Sequence, residues 1–188
     1  MVAPVLLLID IQKGFDDPRW GTRNNPGAET RAAALLAHWR AAGAPVMHVQ
    51  HQSREAGSPL APHLPGSAFK PEVTPAAGEP VIEKTVNSAF IGTDLLSRLR
   101  EMGAQALVIC GFTTPHCVSS TARMAANLGF EVRLAEDACA AFTSSADMSW
   151  RPGADAPDPQ LIHDQAVAHL HGEFLQAVQT EEILVQTL

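Results

Sequence analysis

The chain has no cluster of lysines and arginines, no apolar run of membrane length, no paired set of cysteines and no internal repeat. Each absence removes a class of function. Thirteen Lys and Arg stand against 20 Asp and Glu, a formal charge of −7, so nucleic acid and anionic membrane surfaces are not expected as partners. The opening MVAPVLLLIDIQ is apolar but lacks a basic start and a small-residue cleavage site, and it breaks at Asp10. Neither a signal segment nor a membrane span is expected there. The cysteines at 110, 117 and 139 are odd in number and fit neither a disulfide framework nor a zinc pattern, which favours a reducing, cytoplasmic setting. Cys110 and Cys139 lie in apolar and small-residue surroundings and read as core fillers.

What is present is a chain of 188 residues with 46% hydrophobic content, ample for a core. The expectation is one domain over 1–188, with Pro-rich loops at about 53–80 and 147–159. Val5 to Ile9 is a continuous aliphatic run ending in Asp10, the pattern of a central parallel strand with a carboxylate at its C-terminal end. Pro26 opens a helix to about Ala42, with Ala32, Leu35, Leu36 and Trp39 on one face and Gly43 as its stop. Pro45 to Gln50 forms a second strand and Val81–Ile82 a short third, followed at once by Glu83 and Lys84. Thr93 is placed to cap a helix to Met102. Further on, Glu131 to Ala135 reads as a strand closed by an acidic turn at Glu136 and Asp137. Gln160 to His171 reads as a helix, Phe174 to Val178 as a sixth strand, and Thr180 as the cap of a final helical turn. Strands alternating with helices at this length predict a three-layer α/β/α fold, doubly wound around a six-stranded parallel sheet. The loop at 53–80 holds six prolines and no period of 2 or 3.6, and Phe69 and Lys70 favour an ordered cover over a linker.

The segment QALVICGFTTPHCVSSTARMAANLGF, residues 105–130, combines a buried strand, a polar turn and a helix opened by Pro115. Thr114 is the expected N-cap and Cys117 the third helical residue. A cysteine among the free amides of a helix start should have a lowered thiol pKa. Ligands of doubly wound sheets bind beyond the carboxyl ends of the strands. Asp10, Lys84 and Cys117 each fall at such an end. Singly they are a cap, a solvated lysine and a core thiol; together they have complementary chemistry. The thiol attacks as thiolate, the carboxylate takes and returns its proton, and the ammonium holds both. The amides of Thr113 and Cys117 are the candidate oxyanion hole.

Three stretches, LLLIDIQKGF at 6–15, EKTVNSAF at 83–90 and GFTTPHCVSSTARMAANLGF at 111–130, resemble the isochorismatase-like cysteine hydrolase superfamily, which includes nicotinamidases, N-carbamoylsarcosine amidases and isochorismatases. The resemblance implies Asp10, Lys84 and Cys117 as a catalytic triad, a non-proline cis peptide between Phe112 and Thr113, and assembly as a homodimer or homotetramer. Two departures stand out. Pro115 occupies a position where the family often has Asp, and HVQHQS after the second strand lacks the Asp-x-His pattern of the nicotinamidase metal site. His48 and His51 would point to opposite faces of a strand, so no metal and no cofactor are expected. Phe15, Trp20, His51, Phe90, Phe112 and His116 are the candidate substrate-binding residues, each with a core or filler role as its alternative.

The reading that follows is hydrolysis of a non-peptide C–N bond in a small amide, carbamoyl or lactam-like substrate through a thioester. Vinyl-ether hydrolysis of the isochorismatase type is the alternative within the superfamily, although a cysteine at 117 argues against it. A non-catalytic small-molecule-binding homologue is the alternative outside enzymes. A redox role has little support, since Cys110 has no C-x-x-C spacing to Cys117.

Overall fold

The structure is a computed structural model that describes residues 3–188. Six strands form one sheet: β1 (Val5–Ile9), β2 (Val46–His51), β3 (Val81–Lys84), β4 (Ala106–Phe112), β5 (Glu131–Ala140) and β6 (Gln176–Val178). All neighbours pair in parallel, in the order β3-β2-β1-β4-β5-β6. Among the described residues the α-helices are α1 (Ala28–Ala42), α2 (Leu95–Glu101), α3 (Ser119–Asn127), α4 (Pro159–Ala168) and α5 (Thr180–Leu184). This is an α/β fold in which the chain winds outward from β1 to β3, then returns to the other side of β1 and winds outward again. Right-handed crossovers in opposite directions put α1 and α3 on opposite faces of the sheet. The switch of direction lies between β1 and β4, where such sheets leave a crevice at their C-terminal edge.

The aliphatic run of β1 is buried along its whole length because both faces of the sheet are covered. From α1, Leu35, Leu36 and Trp39 are fully buried, and the Trp39 indole donates to the Pro4 carbonyl at 2.7 Å. Gly43 ends that helix in the left-handed conformation with its N–H returned to the Trp39 and Arg40 carbonyls. At Gly111 the backbone has φ 126°, and a Cβ there would lie 2.0 Å from the Ile9 carbonyl oxygen. Only glycine lets β4 close against β1 at the point where both strands reach the crevice.

Several boundaries differ from the sequence reading, each for an identifiable reason. β5 runs five residues past Ala135, so Glu136 and Asp137 lie inside a strand and not in a turn. Their carboxylates are taken up by neighbours: Asp137 accepts from the Thr180 amide and hydroxyl at 2.8 and 2.7 Å and pairs with Arg31 at 2.7 Å. Thr180 is thereby the first residue of α5, and Gln179 caps it, its amide donating to Glu182. α1 opens at Ala28, two residues beyond Pro26. Asp94 precedes α2, while the Thr93 hydroxyl accepts from the Leu95 amide at 3.3 Å. After β4 the chain makes a five-residue π-helical turn, Thr114–Val118, before α3 begins. Thr113 flanks that turn without a side-chain cap, so Thr114 is inside it and Cys117 is its fourth residue.

The Pro-rich loop after β2 is tied down along its length. The Gln12 side-chain amide donates to the His51 and Ser67 carbonyls at 3.0 and 2.8 Å, and its oxygen accepts from the His51 amide at 2.8 Å. Lys70 is buried, bonded to Glu29 at 2.7 Å and to Asp16. The loop at 147–159 differs: Trp150, its one large apolar residue, is 74% exposed.

Candidate active site

Three strand ends build the site. β1 delivers Asp10, a fully buried residue whose φ of 53° is uncommon outside glycine. The turn after β4 delivers Cys117, 8% exposed. β3 ends in Lys84, also buried, opposite His51 at the end of β2 in the strand register. The Lys84 ammonium is the centre of the group. It lies 2.6 Å from Asp10 Oδ2, 3.0 Å from His51 Nδ1, 3.2 Å from Cys117 Sγ and 3.2 Å from the Val86 carbonyl. Asp10, His51 and Cys117 also offer ligand atoms all within 4.8 Å of one another, a spacing that would suit a cation. Lys84 is that cation: its charge stands within 3.2 Å of all three. A buried carboxylate and a buried ammonium are each costly alone and tolerable as a pair.

The charges reshape one another. Burial pushes the Asp10 carboxyl up, and Lys84 pulls in the opposite direction without cancelling it. Burial works against the Lys84 charge, but Asp10 and Cys117 together hold its pKa above the usual value. The Cys117 thiol is pushed up by burial and by the Asp10 charge, with Lys84 opposing. The lowered thiol pKa expected from the helix start is therefore corrected: desolvation and a neighbouring carboxylate outweigh the amides of one short turn. Both directions favour a protonated thiol beside a carboxylate of increased basicity. His51 is driven down to about 4 by burial and then by Lys84, so its ring is neutral at pH 7.

The remaining candidates divide clearly. His51 is half-buried and touches Lys84. His116 Nδ1 lies 3.1 Å from the Thr113 hydroxyl, so this ring also braces the turn that carries Cys117. The peptide between Phe112 and Thr113 is cis, and the Thr113 amide makes no backbone hydrogen bond among the described residues. Phe112 is fully buried and offers no surface to a ligand; it meets Phe15 edge-on at 5.5 Å and Phe142 at 6.2 Å. Phe15 and Trp20 belong to the same aromatic cluster, their rings 5.3 Å apart. Arg23 and Lys70 approach the Phe112 ring at 5.3 and 5.9 Å, and with Glu29 they hold the base of this cluster. Phe90 stacks on Phe130, beyond the end of α3 remote from Cys117. Of the six, then, Phe112 is fully buried in packing, Phe90 is half-buried against Phe130, and the two histidines stand beside the thiol and its turn.

Two polar residues of the site escaped the sequence reading. Asn87 is exposed, with its side-chain oxygen 4.0 Å from Cys117 Sγ. Gln12 is fully buried and fixes His51 from below. Both sit inside stretches singled out above, LLLIDIQKGF and EKTVNSAF, and a glutamine two residues after a strand-end aspartate is the signal the sequence offers for the first. Among the described residues no helix is long and apolar enough to cross a membrane.

Known proteins share this arrangement of chain. The uncharacterized isochorismatase family protein YrdC of Bacillus subtilis is 42% identical over 180 residues, 95% of this chain and 93% of that protein. Maleamate amidohydrolase of Pseudomonas putida is 33% identical over 150 residues, 68% of this chain and 67% of that protein. A crystal structure of a putative hydrolase of the isochorismatase family from Chromobacterium violaceum superposes with a TM-score of 0.90 at 46% identity, covering 96% of this chain and 91% of that one. The isochorismatase domain model matches residues 4–182, and with these relatives it establishes that the chain belongs to the isochorismatase family of hydrolases.

Proposed function

We propose that the protein hydrolyses a non-peptide C–N bond in a small amide, carbamoyl or lactam-like substrate, with Cys117 as nucleophile. The observation that carries this reading is the placement of one ammonium, Lys84 Nζ, within 3.2 Å of both the Asp10 carboxylate and the Cys117 sulfur. The substrate carbonyl would sit at the C-terminal edge of β1 and β4 with its oxygen toward the Thr113 and Cys117 amides. Asp10 takes the thiol proton as Sγ attacks the carbonyl carbon, giving a tetrahedral oxyanion. Collapse breaks the C–N bond, and the proton on Asp10 passes to the departing nitrogen, leaving a thioester on Cys117. Water then attacks the thioester with its proton going to Asp10. The C–S bond breaks, the acid leaves, and the proton returns to sulfur. Lys84 offsets the negative charge that moves between sulfur and carboxylate.

The raised basicity of Asp10 supports its part, since a stronger base is better matched to a reluctant thiol. The amidohydrolase among the relatives supports the bond type. The test is ammonia release over a panel of small amides and ureido compounds that includes maleamate. Turnover by the wild type that disappears in both Cys117→Ala and Cys117→Ser is the expected result. Residual turnover in either variant would remove the cysteine from the mechanism.

A further inference from the structure

Thr114, the first residue of the turn that carries Cys117, is fully buried, and its hydroxyl lies 2.9 Å from Nδ1 of His163 on α4. His163 is 1% exposed, and its other ring nitrogen lies 3.0 Å from Oε2 of Glu136 on β5. The second Glu136 oxygen accepts from the side chain of Gln179, the residue that caps α5. Thus a continuous polar chain runs from the α5 cap through β5 and α4 into the nucleophile turn. α4 itself packs against that turn. The arrangement has the order hydroxyl, imidazole, carboxylate, but Thr114 is out of reach of any substrate, so it is not a second reactive centre.

We propose that His163 is a positioning residue, which fixes the Thr114–Val118 turn and Cys117 within it by holding the Thr114 hydroxyl. A carboxylate only accepts, so Glu136 requires a hydrogen on Nε2 of His163. In the neutral ring Nδ1 then accepts, and the Thr114 hydroxyl becomes the donor with one fixed direction. That restraint acts on the residue between the Thr113 amide and Pro115, where a small rotation would displace both the amide and the sulfur. Together with the Thr113 contact to His116, it gives the threonine before the turn and the threonine that opens it a histidine each. This inference rests on the cysteine hydrolase reading above.

Asparagine and glutamine divide the histidine's two contacts. The Asn side-chain oxygen replaces Nδ1 and keeps the Thr114 contact, whereas the Gln side-chain nitrogen replaces Nε2 and keeps the Glu136 contact. The probe is p-nitrophenyl acetate, an activated ester whose attack needs the thiol and its turn but no particular leaving amine. His163→Gln and Thr114→Val should each lower kcat about tenfold or more with KM within about twofold, as expected for misplaced reacting groups. His163→Asn and Thr114→Ser should stay within about threefold of wild type, and urea unfolding should rank the two His163 variants together. Equal losses in His163→Gln and His163→Asn, or a fall in kcat that only follows loss of stability, would overturn the proposal. Should His163→Gln not fold, the pair Thr114→Val and Thr114→Ser decides alone, because Val keeps the bulk and loses the hydroxyl, whereas Ser keeps the hydroxyl and loses only a methyl. Cys117→Ala separates the two levels of argument: ester cleavage surviving in that variant sinks the cysteine reading, whereas its loss beside unchanged His163 and Thr114 variants sinks only the positioning role.

Discussion

The Lys84 ammonium lies 3.0 Å from Nδ1 of His51, and this contact fixes the state of the ring. A lysine ammonium has donors only, so Nδ1 must accept and the hydrogen of the neutral imidazole must be on Nε2. With a pKa of about 4, His51 stays uncharged until well below neutral pH.

That shift sets a pH dependence of stability. The folded-state pKa lies below the ordinary histidine value of 6.5, so the unfolded chain binds more protons between pH 6.5 and about 4. Stability therefore falls as pH is lowered through that window. His48, also depressed by burial, adds in the same direction. Allowing for the partial exposure of its ring, His51 should account for roughly 1–2 kcal/mol. Urea unfolding at pH 7 and pH 4.5 should show a smaller difference in His51→Asn than in wild type; an unchanged difference would refute the assignment.

Asp10 and Lys84 should behave as a unit in folding but not in turnover. Lys84→Met leaves a fully buried carboxylate without its cation and should cost about 3–5 kcal/mol. Adding Asp10→Asn removes the orphaned charge, and most of that loss should return while hydrolysis stays absent. Denaturant midpoints for the two single variants and the double variant test this. Additive losses would mean that the pair is not coupled.

Removing the carboxylate should make the thiol more reactive toward an alkylating agent. Burial and Asp10 both raise the Cys117 pKa, and Lys84 alone lowers it. Wild-type Cys117 should therefore react slowly with iodoacetamide at pH 7. Asp10→Asn should react faster, by roughly tenfold for each pKa unit recovered, even though it loses turnover. Mass spectrometry of the intact protein gives both rates. A slower reaction in Asp10→Asn would show that the carboxylate assists the thiol by taking its proton more than its charge holds the thiolate back.

Gly111→Ala should be severe. The added carbon would meet the Ile9 carbonyl oxygen at 2.0 Å, a backbone atom that cannot yield without parting β1 from β4. A loss of roughly 3 kcal/mol or more, or failure to fold, is expected. Gly43→Ala has a left-handed φ of 65° but open space around it, and should cost about 1 kcal/mol. Comparable unfolding midpoints for the two variants would refute the close-approach argument.

Much of this organisation can be read in the sequence, because its signals are local. The unbroken VLLLI of β1, the spacing of Leu35, Leu36 and Trp39, and Gly43 past the end of α1 are each dictated by neighbours in the chain. Asp10, Lys84 and Cys117 are visible as polar residues where apolar strands stop. What the sequence hides depends on distant partners. Glu136 and Asp137 look like a turn until His163, Arg31 and Thr180 satisfy them inside β5. Thr114 looks like a cap until His163 occupies its hydroxyl, and nothing near residue 163 in sequence announces that contact. The thiol's surroundings are hidden for the same reason: a helix start is local, whereas the burial and the Asp10 charge that outweigh it come from tertiary packing.

Lys84 has three protons and four acceptors around it: a carboxylate oxygen, an imidazole nitrogen, a peptide carbonyl and a sulfur. One neighbour is always unserved, and while the sulfur carries its own hydrogen it is the weakest claimant. Once that hydrogen departs, the sulfur becomes the most demanding of the four. A twist about the last bond of the lysine side chain is enough to redirect a proton toward it. In the proposed reaction, negative charge would pass between oxygen and sulfur with no heavy atom displaced, the ammonium serving as a swivel between them.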